Sequence, residues 1–173
     1  VFQRTPNYAI PMRNYKLDAD KQAAVKARYP EHKELVHKTF AGFHYTADER
    51  SFYDCTPEQR RELLETLWEA EVFTDEAANA EVSEFVREKI RARIDDPAVA
   101  EKLLPRDYGF GTRRVPLETK YFEAYNQPNV ELVDVNATPI EAITPTGVRT
   151  SAGEIELDVM IYATGFDAGT GAL

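Results

Sequence analysis

The sequence predicts an α/β fold in which a helical insertion, about residues 17–104, is flanked by pieces of a sheet. Three observations support this prediction. Apolar residues recur at helical spacing between Leu17 and Leu104, turns and short apolar runs follow Pro105, and no internal repeat interrupts the pattern. A chain of 173 residues is long enough for one substantial core and too short for two large domains.

Composition excludes several classes of protein. The formal net charge of −9 argues against nucleic-acid binding, because phosphate contacts need a basic face. No run approaches the roughly 20 apolar residues of a membrane span, and no signal peptide is recognisable, so we expect a cytoplasmic protein that binds no membrane. One cysteine and three histidines show no metal-ligand spacing, so we expect no metal site.

The first two helices of the insertion are predicted from cap residues. Asp18 is expected to cap a helix that reaches Tyr29, where Pro30 interrupts, and residues 31–38 can form a further turn or two. The aromatic, irregular stretch 39–54 is predicted to be a loop.

Three more helices follow that loop. Thr56 to Gln59 combines a capping threonine, a proline and a glutamine, which predicts a helix to about Glu71 with Leu67 and Trp68 in its apolar stripe. Asn79 is expected to cap the next helix, and Asp96 a short one that ends before Pro105. The helix after Asn79 has one apolar face, formed by Val82, Phe85, Val86, Ile90 and Ile94. Its other side is expected to be solvated and carries Arg87, Lys89, Arg91, Arg93, Glu84 and Glu88.

Strands are predicted beyond Pro105. Alternating or short apolar runs separated by turn residues occur at 130–135, 140–143, 148–150 and 154–157. The continuous apolar run Val159–Ala163 is typical of a strand buried on both faces, as in a parallel sheet.

Two segments have the form of dinucleotide-binding elements. A strand that ends in Arg4-Thr5 matches the place where a Rossmann-type unit accommodates a ribose 2′-phosphate with arginine, so this pair predicts NADP rather than NAD. An arginine after a strand is also an ordinary surface residue. Asp158 precedes the apolar run, and Ala163-Thr164-Gly165 ends it with small residues that let backbone approach a cofactor; a simple strand and turn is the equal alternative.

The third segment is Tyr108-Gly-Phe-Gly-Thr-Arg-Arg114. Gly109 and Gly111 allow a tight backbone path, and Arg113 and Arg114 are permanent cations that can grip oxyanions. Because successive side chains of extended backbone point in opposite directions, two neighbouring arginines there are expected to serve two different anions.

Together these segments resemble the flavin-dependent Baeyer–Villiger monooxygenases. The matching text is VFQRTPNYAIP, YGFGTRRVPLETKYFEAYNQPNVELVDV, PIEAITPTGVRT and ELDVMIYATGFDAGTGAL, which together with the insertion covers essentially the whole chain. The resemblance implies a two-dinucleotide-domain flavoprotein that uses FAD, NADPH and O2 to convert a ketone into an ester or lactone.

The resemblance also implies roles for single residues. Arg4 and Thr5 match positions that hold the NADPH 2′-phosphate, and Arg113 stands where the family commonly has a phosphate-binding lysine. Arg114 matches the active-site arginine, which stabilises the anionic peroxyflavin by electrostatic preorganisation. Asp158 and Ala163, Thr164 and Gly165 match the return segment from the NADP domain to the FAD domain.

The resemblance divides the chain into four segments. Residues 1–16 end an NADP-domain strand and loop, 17–104 are the helical insertion, 105–157 are the second half of the NADP domain with a β-hairpin, and 158–173 return to the FAD domain. The glycine-rich motifs for FAD and NADP and the family fingerprint are absent from the sequence. We therefore expect an internal fragment that needs the rest of the parent polypeptide, and that cannot hold FAD or catalyse by itself.

Two other functions stay open at this point. A related flavin monooxygenase that oxidises nitrogen or sulfur shares the two-domain architecture. A non-catalytic interaction domain is the other alternative, with the acidic helical region 48–88 as its partner surface.

Overall fold

The computed structural model describes residues 1–39, 42, 50–66 and 70–165. These residues form two units: one contains Thr5–Val130, and the other contains Val1–Arg4 and the described residues from Glu131 onward. The predicted mixture of helix and sheet is confirmed. The predictions for Leu67 and Trp68, for most of the loop 39–54 and for the end of the return segment after Gly165 lie outside the described residues.

The described part of the larger unit contains five α-helices. They are α1 (Ala19–Ala27), α2 (Tyr29–Lys38), α3 (Pro57–Thr66), α4 (Glu76–Arg91) and α5 (Pro97–Leu103). Among the described residues, 3₁₀ turns lie at Phe52–Asp54, Ala70–Phe73 and Glu123–Asn126.

Side chains cap three of these helices as the sequence predicts. The Asp18 carboxylate accepts a hydrogen bond from the Lys21 amide (2.8 Å) at the start of α1. Thr56 and Gln59 exchange two bonds, from the Thr56 amide to Gln59 Oε1 (2.9 Å) and from the Gln59 amide to Thr56 Oγ1 (3.3 Å). Asp96 accepts from the Ala98 amide (2.8 Å) ahead of α5. Each cap satisfies a backbone donor that the first helical turn leaves free.

The predicted start of α4 is wrong by about one turn. Asp75, not Asn79, caps this helix and accepts from the Ala78 amide (2.9 Å). Both residues are good caps, and the choice between them depends on tertiary contacts. Asn79 lies in the first turns of α4, and its side-chain amide donates to the carbonyls of Val72 (2.7 Å) and Phe110 (2.8 Å).

The apolar face of α4 forms the centre of the larger unit's core. Val82, Val86 and Ile90 are buried, as is Ile94 just beyond the helix. The predicted solvated side is only partly solvated: the side chains of Arg87 and Arg93 are 16% and 22% exposed. Both guanidiniums are held by hydrogen bonds to other segments, so charge patterning along one helix could not separate them from their exposed neighbours.

Short parallel pairs and one antiparallel sheet make up the strands. In the smaller unit β1 (Phe2–Gln3) pairs in parallel with β4 (Val133–Asp134), and in the larger unit β2 (Ile10–Pro11) pairs in parallel with β3 (Leu117–Glu118). The smaller unit also contains an antiparallel sheet in which the central strand is β6; its strands are β5 (Ile140–Thr144), β6 (Gly147–Thr150) and β7 (Gly153–Glu156). Strands β4, β5, β6 and β7 overlap the four turn-bounded runs that the sequence predicts beyond residue 129.

The predicted buried strand at Val159–Ala163 is not observed. This segment is not in a strand, and the side chains of Val159, Ile161 and Tyr162 are 75%, 86% and 70% exposed. An apolar run becomes a buried strand only where neighbouring strands supply hydrogen bonds on both edges, and no described residue pairs with it.

Candidate functional site

Helix α4 holds residues 108–114, the arginine loop, which contains Gly109, Gly111 and the neighbouring arginines Arg113 and Arg114. Ser83 accepts from the Phe110 amide (2.8 Å), and its hydroxyl donates to Asn79 Oδ1 (3.3 Å). Asn79 in turn donates to the Phe110 carbonyl (2.8 Å). Phe110 is 2% exposed, so the middle of the loop is a buried anchor with both backbone groups satisfied.

The two glycines permit this close docking. A Cβ at Gly109 would collide with Asn79 Oδ1, and a Cβ at Gly111 would lie 2.6 Å from the Phe73 ring. Gly111 also has φ of 78°, in the left-handed region that side chains other than glycine rarely adopt. The tight backbone path expected from the sequence is confirmed at both positions.

Tyr108 links the start of the loop to the N-terminal segment of the same unit. Its hydroxyl lies 2.5 Å from Asn7 Oδ1 and 3.0 Å from the Pro6 carbonyl, both acceptors. Burial raises the pKa of the Tyr108 phenol above its ordinary value of 10.0, so the hydroxyl keeps its proton at neutral pH and acts as the donor.

Arg113 lies directly over the Tyr108 ring, with 4.2 Å between the guanidinium carbon and the ring centroid. This is a cation–π contact of short range. Arg113 and Arg114 are both exposed, and neither forms an ion pair with a carboxylate of the described residues. Two permanent cations thus stand side by side with their charge available to anions.

The buried residue Tyr8 packs against two aromatic rings of the loop. Tyr8 is fully buried, and its ring meets the rings of Tyr108 and Phe110 edge to face at 5.4 and 5.5 Å. Its hydroxyl accepts from Arg87 (2.7 Å) and lies 3.3 Å from the carbonyls of Pro105 and Tyr108. The loop is therefore seated on aromatic rings and a charge-assisted hydrogen bond.

Arg4 and Thr5 lie at the carboxyl end of β1, and both are exposed. The Arg4 carbonyl accepts a hydrogen bond from the Asn136 side chain, which follows the neighbouring strand β4. The backbone amide of Asn136 donates to Asp134 Oδ1 (2.9 Å), and this hydrogen bond helps to orient Asn136. The end of β1 is thus hydrogen-bonded to the residue that follows β4. This bond uses the Arg4 carbonyl and does not involve the Arg4 side chain.

The third predicted segment belongs to the smaller unit. Asp158, Ala163, Thr164 and Gly165 are exposed, and Gly165 has φ of 92° with nothing within 4 Å of a Cβ built on it. The structure brings Thr5 and the arginine loop into one unit, whereas Arg4 and this third segment belong to the other.

Known proteins with similar sequences are monooxygenases. The chain is 50% identical to acetone monooxygenase (methyl acetate-forming) of Gordonia sp. (strain TY-5) and 44% identical to cyclopentanone 1,2-monooxygenase of Comamonas sp. (strain NCIMB 9872), in each case over 100% of this chain and 34% of the relative. It is 35% identical to a Baeyer–Villiger monooxygenase of Pseudooceanicola batsensis, over 97% of this chain and 33% of the relative. The chain is homologous to the Baeyer–Villiger monooxygenases over one third of their length. No family model matches it.

The likeness to Baeyer–Villiger monooxygenases extends to the fold. The chain superposes on the OTEMO complex with FAD and NADP with a TM-score of 0.91 and 41% identity, over 98% of this chain and 34% of that one. A phenazine N-monooxygenase of Lysobacter antibioticus is also similar, at 30% identity over 99% of this chain and 34% of the relative. Enzymes with the same segment thus include one whose name specifies oxidation at nitrogen.

The sequence pattern does not identify the residues that hold the arginine loop in place. The sequence predicts Asn79 to be a helix cap, and it indicates no role for Tyr8, Ser83 or Tyr108. The glycine pair was the available signal, because glycines at two alternate positions require something to approach the backbone closely. What approaches is a side chain 31 residues away from Phe110, and no local pattern identifies it.

Proposed function

We propose that the chain is part of an NADPH- and FAD-dependent Baeyer–Villiger monooxygenase, an enzyme that inserts one oxygen atom of O2 into a ketone to give an ester or lactone. The other oxygen atom leaves as water, and NADPH supplies the two electrons. The observation that carries the proposal is the pair Arg113 and Arg114, two exposed cations on a firmly anchored loop, in a chain whose homologues include an acetone monooxygenase forming methyl acetate.

The chain's donors fit the NADPH 2′-phosphate. Arg4 and Arg113 provide permanent cations, and Thr5 provides a hydroxyl donor, which is the combination that a phosphate monoester takes. In a protein of net charge −9, local cations of this kind are needed to attract a polyanionic nucleotide. We assign these three residues to the 2′-phosphate.

Arg114 is assigned to the oxygenating site. FAD, when bound by the rest of the enzyme, supplies the oxygen-activating chemistry. Arg114 supplies a fixed positive charge that needs no reorganisation as negative charge develops, because its loop is anchored through Phe110 and the two glycines. In this proposal Asp158, Ala163, Thr164 and Gly165 are the chain's further cofactor-binding residues.

The remaining parts of the proposal concern the whole protein. Residues 1–157 belong in this proposal to the NADP domain, with 17–104 as its helical insertion and 105–157 as its second half. Asp158, Ala163, Thr164 and Gly165 lie in the segment that returns to the FAD domain, where Val159–Ala163 would gain strand partners that the described residues do not supply. A cytoplasmic location, and the ketone, O2 and the rest of the polypeptide as partners, complete it. No helix of the described residues is long and apolar enough to cross a membrane.

Product analysis of the full-length enzyme tests the reaction. We expect a cyclic ketone, supplied with NADPH and air, to yield the lactone by gas chromatography. Exclusive formation of an N-oxide or sulfoxide from amine or sulfide substrates would contradict this, and would favour the nitrogen- or sulfur-oxidising alternative that the phenazine N-monooxygenase represents.

Substitution of the arginines tests their roles separately. Arg4→Ala should raise the KM for NADPH far more than the KM for NADH, because only NADPH carries the 2′-phosphate. Arg114→Ala should abolish lactone formation; wild-type rates of flavin reduction and lactone formation in this variant would remove its assignment. Lys21→Ala, which alters an exposed cation paired with Asp18 on α1, is the control and should change neither measurement.

A further inference from the structure

We propose that Tyr108 is a positioning residue for the cofactor 2′-phosphate, its ring holding the Arg113 guanidinium and its hydroxyl holding the backbone that follows Thr5. This inference rests on the proposed function of Arg113. It assigns to one side chain the task of keeping two phosphate contacts, which are far apart in the sequence, at a constant separation.

The ring is the first part of the argument. Arg113 is exposed and has no carboxylate partner among the described residues, so its flexible side chain would otherwise sample many rotamers. The ring of Tyr108 lies 4.2 Å below the guanidinium carbon. Stacking on a ring restrains a guanidinium while leaving its N–H donors free at the edge of the plane, which is where a phosphate binds.

The hydroxyl is the second part. It donates within the pair of acceptors formed by Asn7 Oδ1 (2.5 Å) and the Pro6 carbonyl (3.0 Å). These two residues directly follow Thr5. Asn7 also extends its amide toward the Arg114 carbonyl, at a long 3.5 Å. The N-terminal segment is therefore held to the loop at Tyr108 and at Arg114, through contacts that span about one hundred residues of sequence.

The ring of Tyr108 is itself fixed. It meets the fully buried ring of Tyr8 edge to face at 5.4 Å, and Arg87 holds the Tyr8 hydroxyl at 2.7 Å. Because the Tyr108 ring is held by core residues, the exposed Arg113 guanidinium that lies over it is held in position as well. Neither Arg87 nor Tyr8 needs to touch the cofactor for this to operate.

Binding of adenosine 2′,5′-bisphosphate to the full-length holoenzyme is the test, measured by titration calorimetry alongside the KM for NADPH and for NADH. Tyr108→Phe removes only the hydroxyl, and Tyr108→Leu removes the ring as well. We expect roughly twofold weaker binding for the first and about five- to tenfold for the second. The KM for NADPH should rise in parallel, and the KM for NADH should stay unchanged.

Tyr121→Phe is the matched control. Tyr121 is 42% exposed, and its hydroxyl bonds only to another tyrosine, Tyr125 (3.0 Å), among the contacts of the described residues. This variant should bind the bisphosphate as the wild type does. Thermal unfolding of all variants identifies any loss of fold, and Tyr108→Phe still tests the hydroxyl if the leucine variant does not fold.

Arg113→Ala separates this inference from the proposed function. If that variant binds the bisphosphate as the wild type does, Arg113 is not a phosphate ligand and both assignments fail. If it binds weakly but Tyr108→Leu does not, only the positioning role is overturned. In the Arg113→Ala background the difference between Tyr108→Leu and Tyr108→Phe should vanish; a difference that persists means that the ring acts through packing and contradicts the proposal.

Discussion

Gly109 lies close against helix α4, beside the Asn79 side chain. Its missing side chain lets Asn79 reach the Phe110 carbonyl, and a Cβ in its place would collide with the Asn79 side-chain oxygen. The absence of a side chain at Gly109 therefore allows the arginine loop to pack closely against α4, in addition to allowing a turn. Loss of that approach should disturb the arginines four and five residues further on.

Gly109→Ala tests this at the residue scale. We expect destabilisation of about 2 kcal/mol, because Asn79 must give up its hydrogen bonds or the loop must move, and a raised KM for NADPH. Urea unfolding and steady-state kinetics check the two effects. Adding Asn79→Ala clears the space, so the double variant should lose less stability than the sum of the single variants. Full additivity would mean that the collision is not the cause.

Helix α4 is the element on which the larger unit depends. One face is buried in the core, its first turns hold the loop through Asn79 and Ser83, and its last turn leads to Arg93. Its start is fixed by Asp75, whose carboxylate accepts from the Tyr53 hydroxyl and from the Ala78 amide. These hydrogen bonds, that of Tyr53 above all, lower the pKa of Asp75 below its ordinary value of 3.8.

Asp75→Ala should lower the midpoint of thermal unfolding, because the amides of the first helical turn lose their acceptor. The lowered pKa means that the carboxylate stabilises the fold fully above pH 3.8 and loses this effect as the pH falls through the folded-state value. The difference in melting temperature between wild type and variant should therefore shrink in strong acid. Asp95→Ala, an exposed aspartate whose side chain caps no helix, should melt as the wild type does.

At the scale of the larger unit, Arg93 joins its helical part to the segment that contains β3. The guanidinium donates to Glu118 (2.7 Å) and, in bidentate fashion, to Glu123 (2.7 Å twice). The Glu118 side chain is only 6% exposed and also accepts from the Tyr121 amide (2.8 Å). Arg93 therefore provides the counter-charge that the buried Glu118 carboxylate requires.

Arg93→Met should cost about 2–4 kcal/mol, because it leaves Glu118 buried without a counter-charge. Arg91→Met is the matched control, since Arg91 pairs with Glu101 at exposed positions, and we expect a change below about 0.5 kcal/mol. The hydrogen bonds from Arg93 lower the pKa of Glu123 below 4.5. That part of the stabilisation is complete above pH 4.5 and disappears in acid, so chemical unfolding near pH 3 should show a smaller difference between Arg93→Met and wild type than at pH 7.

The sequence alone determined the helix starts at Asp18, Thr56 and Asp96, the apolar face of α4 and the antiparallel strands after Pro139. All of these depend on hydrogen bonds and side-chain spacing within a few residues, which a linear pattern records. The sequence also showed the family resemblance, through Arg4-Thr5, the segment from Tyr108 to Arg114 and Ala163-Thr164-Gly165. Homology to the Baeyer–Villiger monooxygenases over one third of their length confirms it.

Only the tertiary structure decided that Asp75 and not Asn79 caps α4, which cations are buried and which side chain lies against Arg113. Asn79 looked like a cap, yet its partners lie on Val72 and Phe110; Arg93 looked solvated, yet two carboxylates enclose it. The ring under Arg113 is itself fastened to Pro6, 102 residues away in the chain. Such contacts depend on the path of the backbone through space, because a side chain's partner is set by proximity in the fold and not by distance along the sequence.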